Sequence, residues 1–169
     1  MPFEITTHVA ALDLNTRLAL NALRGLGDDE ARRRLGAGVN SAAFIAAHLV
    51  DARHYLLKLL GAPRPNPMDA LGEVKSEDEV QALPPLDELR AAWLDVGAAL
   101  RATLLELTEE QAARDVGSKF PIDVPGALGA VVFLLHHESY HVGQLGLLRR
   151  QLGHPAMSYA PAPEMPATR

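Results

Sequence analysis

The stretch that decides the fold is residues 125–153, which read PGALGAVVFLLHHESYHVGQLGLLRRQLG. Its apolar residues recur every three or four positions, and this spacing predicts one long amphipathic helix. Pro125 suits the first position of a helix, and Gly153 suits its end. His137 and His141 are four residues apart on this helix, so their imidazoles project from one face, one turn apart.

Three further segments with helical spacing precede this helix, so the chain is predicted to be all-α with four long helices. Counted from the amino end, the first three cover roughly residues 6–26, 41–60 and 85–107. Short helices are expected after Asp28 and after Thr108. Amphipathic helices of this length in one chain predict an antiparallel four-helix bundle, which we assign to residues 1–153. The proline-rich tail, residues 154–169, is expected to be frayed or to lie across the surface.

The connection between the second and third long helices, residues 62–85, is longer than a bundle needs. Pro63, Pro65 and Pro67 exclude a helix from its first part. Ser76 and Glu79 then have the spacing of a capping box, which predicts one short helix. We expect this connection to form a crossover or a lid over a pocket.

Composition excludes several classes of protein. The formal net charge of −5 and the lack of a basic stripe argue against nucleic-acid binding. The chain has no cysteine, so a metal site must use His, Asp or Glu. No apolar stretch is long enough to span a membrane, and the amino end lacks the pattern of a signal peptide. A cytoplasmic location is therefore expected.

The four-residue spacing of His137 and His141 is typical of two imidazoles that share one metal ion. They lie in the stripe of the helix that faces the bundle, where an imidazole without a partner is costly. Residues 137–141, HESYH, also match the zinc-protease pattern H-E-x-x-H. The glycine and third histidine of the longer metzincin form are absent, no downstream helix offers a Glu ligand, and no sheet is predicted. We therefore reject a protease.

A third ligand must come from another helix, and His48 is the best candidate because it interrupts an apolar stripe of the second long helix. A single histidine on an apolar face is more often a hydrogen-bonded core residue than a ligand. With His137 and His141, however, it completes a set of three imidazoles that leaves coordination positions open. The other four histidines are expected at the surface or the rim: His8, His54, His136 and His154.

Two stretches resemble the DinB-like family, also called DinB/YfiT: NSAAFIAAHLVDARHYLL at residues 40–57 and HHESYHVGQLGLLRR at residues 136–150. The resemblance spans residues 5–153. It implies a four-helix bundle with a three-histidine metal site at His48, His137 and His141, the last followed by a Gly-Gln pair. It also implies zinc or nickel as the metal, a homodimer, and, in some branches, transferases or isomerases that use a low-molecular-weight thiol such as bacillithiol or mycothiol.

Three hypotheses about function remain open at this point. In the first, the metal ion favours the thiolate form of a thiol cofactor for a transfer reaction on a small molecule. In the second, the protein is a hydrolase that uses metal-activated water. In the third, the ion only holds helices together. Spacing alone assigns no catalytic residue, and the candidates for supporting or acid–base roles are Asp51, Glu138, Tyr140 and Gln144.

Overall fold

In the computed structural model, which describes residues 4–72, 74 and 76–161, the chain is helical, and no strand occurs within those residues. Four long helices and two short ones account for most of the described chain. They are α1 (Thr6–Leu23), α2 (Asp28–Arg32), α3 (Ala42–Leu59), α4 (Leu86–Leu105), α5 (Glu109–Ala113) and α6 (Gly126–Gln151). The all-α four-helix prediction is confirmed. Among the described residues, no helix is both long and apolar enough to cross a membrane.

The helix boundaries follow from local chemistry. Ser41 caps α3, because its hydroxyl accepts a hydrogen bond from the amide of Phe44. Thr108 and Gln111 form a full capping box at the start of α5. α1 ends at Leu23, three residues before the predicted end, and Gly25 follows with a positive φ. Beyond these caps, the four long helices bury Leu, Ala and Val side chains in one common core.

Each long helix packs against two others: α1 and α3 both contact α4 and α6. α1 and α6 run in the same direction, because Asn15 contacts Glu138 and Ala22 contacts Arg149 further along both helices. α1 and α4 run in opposite directions, since Asp13 pairs with Arg101 while the carbonyl of Leu23 accepts from Arg90.

The ends of α3 fix its direction. The carbonyl of Leu59 accepts from Arg114, and the carbonyl of Arg114 accepts from the amide of Ala127 near the start of α6. α3 is therefore antiparallel to α6 and parallel to α4. Each long helix thus has one antiparallel and one parallel neighbour, so the expected antiparallel packing describes two of the four packed pairs.

The connection from α3 to α4 runs back along α3, which explains how these two helices can be parallel. Asn66 donates to Asp51 in the middle of α3, and Glu77 accepts from both the amide and the hydroxyl of Ser41 at its start. The connection contains two turns of 3-10 helix, Asp69–Leu71 and Glu77–Glu79. Ser76 caps a short helix, as predicted. Its hydroxyl accepts a hydrogen bond from the amide of Asp78, and the helix is a single 3-10 turn.

The described part of the tail, through Pro161, lies across the end of the bundle. The buried side chain of Asn21 donates to the carbonyls of Ser158 and Ala160, at 2.7 and 2.9 Å. Arg149 donates to the carbonyl of Pro155. Residues 1–3 of the predicted domain and residues 162–169 of the predicted tail lie outside the described residues.

Candidate metal centre

The three predicted ligands lie together at the interface of α3 and α6. The Nε2 atom of His137 is 3.2 Å from that of His48 and 3.0 Å from that of His141. One ligand atom from each of the three residues falls within 4.8 Å of the other two. The prediction that these side chains meet at one point agrees with this geometry.

Local helical geometry explains why the rings meet. His137 and His141 are one turn apart on α6, and their ring centroids are 4.4 Å apart. His48 lies near the middle of α3, and its ring centroid is 5.0 Å from that of His137 and 4.9 Å from that of His141. All three side chains are partly buried.

A hydrogen bond fixes the tautomer of His141. Its Nδ1 lies 2.6 Å from Oε1 of Gln144, and because an amide oxygen accepts, Nδ1 carries the proton. The lone pair of His141 is therefore on Nε2, the atom that faces His137. The amide nitrogen of Gln144 in turn donates to the hydroxyl of Tyr140. Gln144 therefore links a predicted ligand to Tyr140, whose side chain is 62% exposed.

Burial keeps these imidazoles neutral. Burial, followed by the proximity of His141 and His137, lowers the pKa of His48 to about 4. Burial, then the proximity of His141, lowers the pKa of His137 to about 4. The pKa of His141 is lowered by burial and partly restored by Gln144. A neutral imidazole is the form that binds metal ions.

The donor set fits a divalent metal ion. Imidazole nitrogens at ~2.0–2.1 Å from one ion lie roughly 3 Å from one another, which matches the observed separations of Nε2 atoms. Nitrogen ligands suit zinc and nickel, and three protein ligands leave a position open for another molecule. His48, His137 and His141 would hold the ion.

A cavity of about 730 Å³ opens beside His48 and His137. Its walls are formed by α3, α6 and the first part of the connection between α3 and α4. They comprise His48, Asp51, Ala52, His54, Tyr55, Lys58, Pro63, Arg64, Asn66, Asp69, Ala70, Gly72, Phe133, Leu134 and His137. Six residues of the predicted lid segment, between Pro63 and Gly72, therefore line the cavity.

Asp51 is one of the four candidate supporting residues, and it lies on the cavity wall one turn from His48. Nδ2 of Asn66 donates to its carboxylate at 2.7 Å. Burial raises the pKa of Asp51, although the hydrogen bond from Asn66 opposes the rise. A carboxyl group whose pKa is raised toward neutral pH is suited to proton transfer.

Glu138, another candidate, faces away from the cavity. Its side chain is 2% exposed and pairs with Arg53, which is fully buried. Nε and Nη2 of Arg53 donate to the two carboxylate oxygens at 2.7 and 3.1 Å. Arg53 was not among the predicted site residues, although it interrupts the apolar series Ala46, Val50 and Leu57 of α3.

One histidine assignment is wrong. His54 is not at the surface but is buried, with 7% exposure, and its Nδ1 has no hydrogen-bond partner among the described residues. The connection after α3 turns back beside it, and the sequence gives no direction for that turn. His136 is exposed, and His8 and His154 are partly exposed, as expected for surface or rim positions. His154 bonds Glu30 at 2.9 Å.

Comparison with known proteins places this geometry in a family. The model of the DinB superfamily matches residues 11–145. The chain belongs to the DinB superfamily. Among solved structures, it is similar to YfiT from Bacillus subtilis, described as a probable metal-dependent hydrolase with an unusual four-helix bundle topology. The TM-score is 0.65 at 18% identity, over 92% of this chain and 94% of YfiT.

A second DinB-like protein from Bacillus subtilis, YjoA, has the same fold. It gives a TM-score of 0.60 at 17% identity, over 94% of this chain and 98% of YjoA. No curated protein sequence matches the chain significantly. At these identities, the two structures establish the fold that the DinB domain adopts.

Proposed function

We propose that this DinB protein is an enzyme that holds a divalent metal ion, zinc or nickel, through His48, His137 and His141 and acts on a small molecule. The observation that carries the proposal is the convergence of three neutral imidazoles beside a cavity of about 730 Å³. Sites with three protein ligands and an open position are typical of catalytic metal centres, whereas structural zinc sites close with four protein ligands.

The bound ion would supply Lewis acidity, which favours the deprotonated form of a thiol or of water. The chain's own residues supply the rest. Phe133, Leu134 and Ala52 form an apolar part of the wall that excludes water from the reacting groups. Asp51 lies on the same wall and is the candidate acceptor for the proton of the nucleophile.

We propose thiol-dependent transfer as the reaction, as the family resemblance implies. The sulfur of a low-molecular-weight thiol would bond to an electrophilic carbon of the substrate, whose leaving group departs with its electron pair. Asp51 would take the thiol proton. The second candidate is hydrolysis, and it is supported by the similarity to YfiT, described as a probable metal-dependent hydrolase. A homodimer and a cytoplasmic location remain predictions that accompany this proposal.

One set of measurements separates these reactions. Protein purified without a His-tag is loaded with cobalt and titrated with cysteine, glutathione and bacillithiol, and its absorption spectrum is recorded. We expect a sulfur-to-cobalt charge-transfer band with at least one thiol, together with thiol conjugation of 1-chloro-2,4-dinitrobenzene. His137→Ala should abolish both signals, and His136→Ala, next to it but exposed, should retain both.

Two results would decide against thiol transfer. If no thiol changes the cobalt spectrum and the zinc protein hydrolyses 4-nitrophenyl acetate in a His137-dependent manner, hydrolysis is the reaction. If the untagged protein binds no zinc, nickel or cobalt at all, the metal-dependent enzyme is wrong in either form.

A further inference from the structure

The buried ion pair between Arg53 and Glu138 joins the same two helices that carry the metal ligands. Glu138 follows His137 directly in α6, and Arg53 lies five residues after His48 in α3. On an α-helix that offset is about 7.5 Å along the axis. The two charged groups therefore meet across the α3–α6 interface, one to two turns from His48 on α3 and directly next to His137 on α6.

Residues of α4 and α1 also contact the pair. The guanidinium carbon of Arg53 lies 3.3 Å from the centre of the Trp93 ring of α4. Asn15 of α1 donates to the Glu138 carboxylate at 3.3 Å and to the carbonyl of Leu135 at 3.1 Å. A methyl group at Gly97 would lie 2.5 Å from Nη1 of Arg53, so the glycine leaves the room that this guanidinium occupies.

Stability alone does not account for such a pair. Removing two charges from water costs several kcal/mol each, and apolar residues of similar volume often stabilise a core as well or better. A bidentate hydrogen bond between a guanidinium and a carboxylate fixes the relative orientation of the two side chains, which an apolar contact does not. Glu138 is turned about 100° around α6 from His137, so fixing its direction also fixes where His137 and His141 point.

We infer that Arg53 and Glu138 are positioning residues of the metal centre, which set the rotation of α6 so that His137 and His141 face His48. The inference rests on the proposed metal site. It assigns the Glu of the H-E-x-x-H pattern to the core of this bundle as an anchor, where its carboxylate bonds Arg53 and Asn15.

The test is the double variant Arg53→Met/Glu138→Leu, which removes both charges and leaves no buried ion unpaired. Zinc affinity is measured by calorimetry, folding by urea denaturation, and the approach of the His48 and His137 rings by nuclear Overhauser effects in metal-free protein. We expect cooperative unfolding close to wild type, a zinc Kd raised about 10–100-fold, and loss of the His48–His137 effect.

The matched control is Asp13→Asn/Arg101→Gln, which removes a partly exposed ion pair between α1 and α4. It should leave zinc affinity unchanged. Equal loss of affinity in both double variants would overturn the inference, because any weakened helix contact would then have the same effect. Wild-type affinity and an intact His48–His137 effect in the first variant would overturn it as well.

If Arg53→Met/Glu138→Leu does not fold, Arg53→Lys decides, since it keeps the charge but offers one nitrogen in place of the two that now bond Glu138. Weaker zinc binding in that variant supports positioning, and unchanged binding overturns it. If wild-type protein binds no zinc, the proposed function is wrong. The nuclear Overhauser effects between the His48 and His137 rings still show whether the Arg53–Glu138 pair positions these histidines.

Discussion

The Oε1 atom of Gln144 lies 2.6 Å from Nδ1 of His141. This contact holds the proton of the imidazole on Nδ1 and leaves the lone pair on Nε2, which faces His137. Partners of this kind orient a ligand ring and make its free nitrogen more basic. Gln144 belongs to the Gly-Gln pair that follows the second histidine in the family resemblance.

Replacing Gln144 by Leu should weaken metal binding while the fold remains. The change removes the acceptor for Nδ1, so the Nε2 lone pair is no longer favoured and the ring is free to turn. We expect a zinc Kd about 10–100-fold higher by calorimetry. Tyr140→Phe, which removes only the hydroxyl behind Gln144, is the control and should bind zinc nearly as wild type. An unchanged Kd for Gln144→Leu would show that His141 needs no such partner.

Replacing a ligand should abolish the link between metal and stability. His48→Gln and His137→Gln each leave two imidazoles, too few to hold the ion tightly. Addition of a chelator at pH 7.5 should lower the melting temperature of zinc-loaded wild type but not of either variant. His136→Gln lies on the same helix but is exposed, and it should respond to the chelator as wild type does. Equal melting curves of wild type with and without chelator would contradict the coupling.

The sequence predicted the helices and the triad for the same physical reason. Helical spacing is local, so the positions of His137 and His141 one turn apart, and of His48 on an inward face, follow from residue numbers alone. The direction of α4 does not follow from them. A connection as long as residues 60–85 can return to either end of α3, and its course depends on contacts such as Glu77 with Ser41.

The burial of polar side chains was less predictable. The connection that follows α3 turns back beside His54, and no spacing within α3 signals this contact. The buried pair of Arg53 and Glu138 could have been predicted, because each is a charged residue within an apolar series of its helix. Two opposite charges on inward faces of two helices predict a buried pair, since one of them alone would be too costly.

Gly97→Ala should destabilise the protein although alanine favours helices. The added methyl group would lie 2.5 Å from Nη1 of Arg53, which Trp93 and Glu138 hold in place. We expect a loss of about 2–4 kcal/mol in the free energy of unfolding, measured with urea. The control is Gly143→Ala on α6, where the added methyl group meets nothing within 4 Å. That variant should gain ~0.5–1 kcal/mol. A gain at Gly97 would mean that Arg53 moves freely.

Exposed apolar side chains on α1 and α6 are the basis for expecting a homodimer. Leu14 is 37% exposed, Leu147 is 59% exposed, and α1 and α6 pack side by side. The mass of one chain is 18.2 kDa, and light scattering at micromolar concentration should give twice that mass.

Leu147→Glu should shift the protein toward the monomer, because it introduces charge into an apolar contact. Leu105→Glu, at a leucine that is 50% exposed at the end of α4, is the control. A monomeric wild type would refute the dimer.

Acidification should destabilise the metal-free protein through the triad. Burial lowers the pKa of His48 and of His137 to about 4 in the folded chain, from an ordinary value of 6.5. Between these values the unfolded chain binds more protons than the folded one, so the free energy of unfolding decreases as pH falls. The contribution of the neutral imidazoles is fully present above pH 6.5 and is lost progressively toward pH 4.

Urea denaturation at several pH values, with chelator present, measures how the free energy of unfolding depends on pH. Near pH 5, the double variant His48→Gln/His137→Gln should take up fewer protons on unfolding than wild type does, and the difference should be up to about two protons. The same slope in wild type and in this variant would show that the buried imidazoles titrate normally.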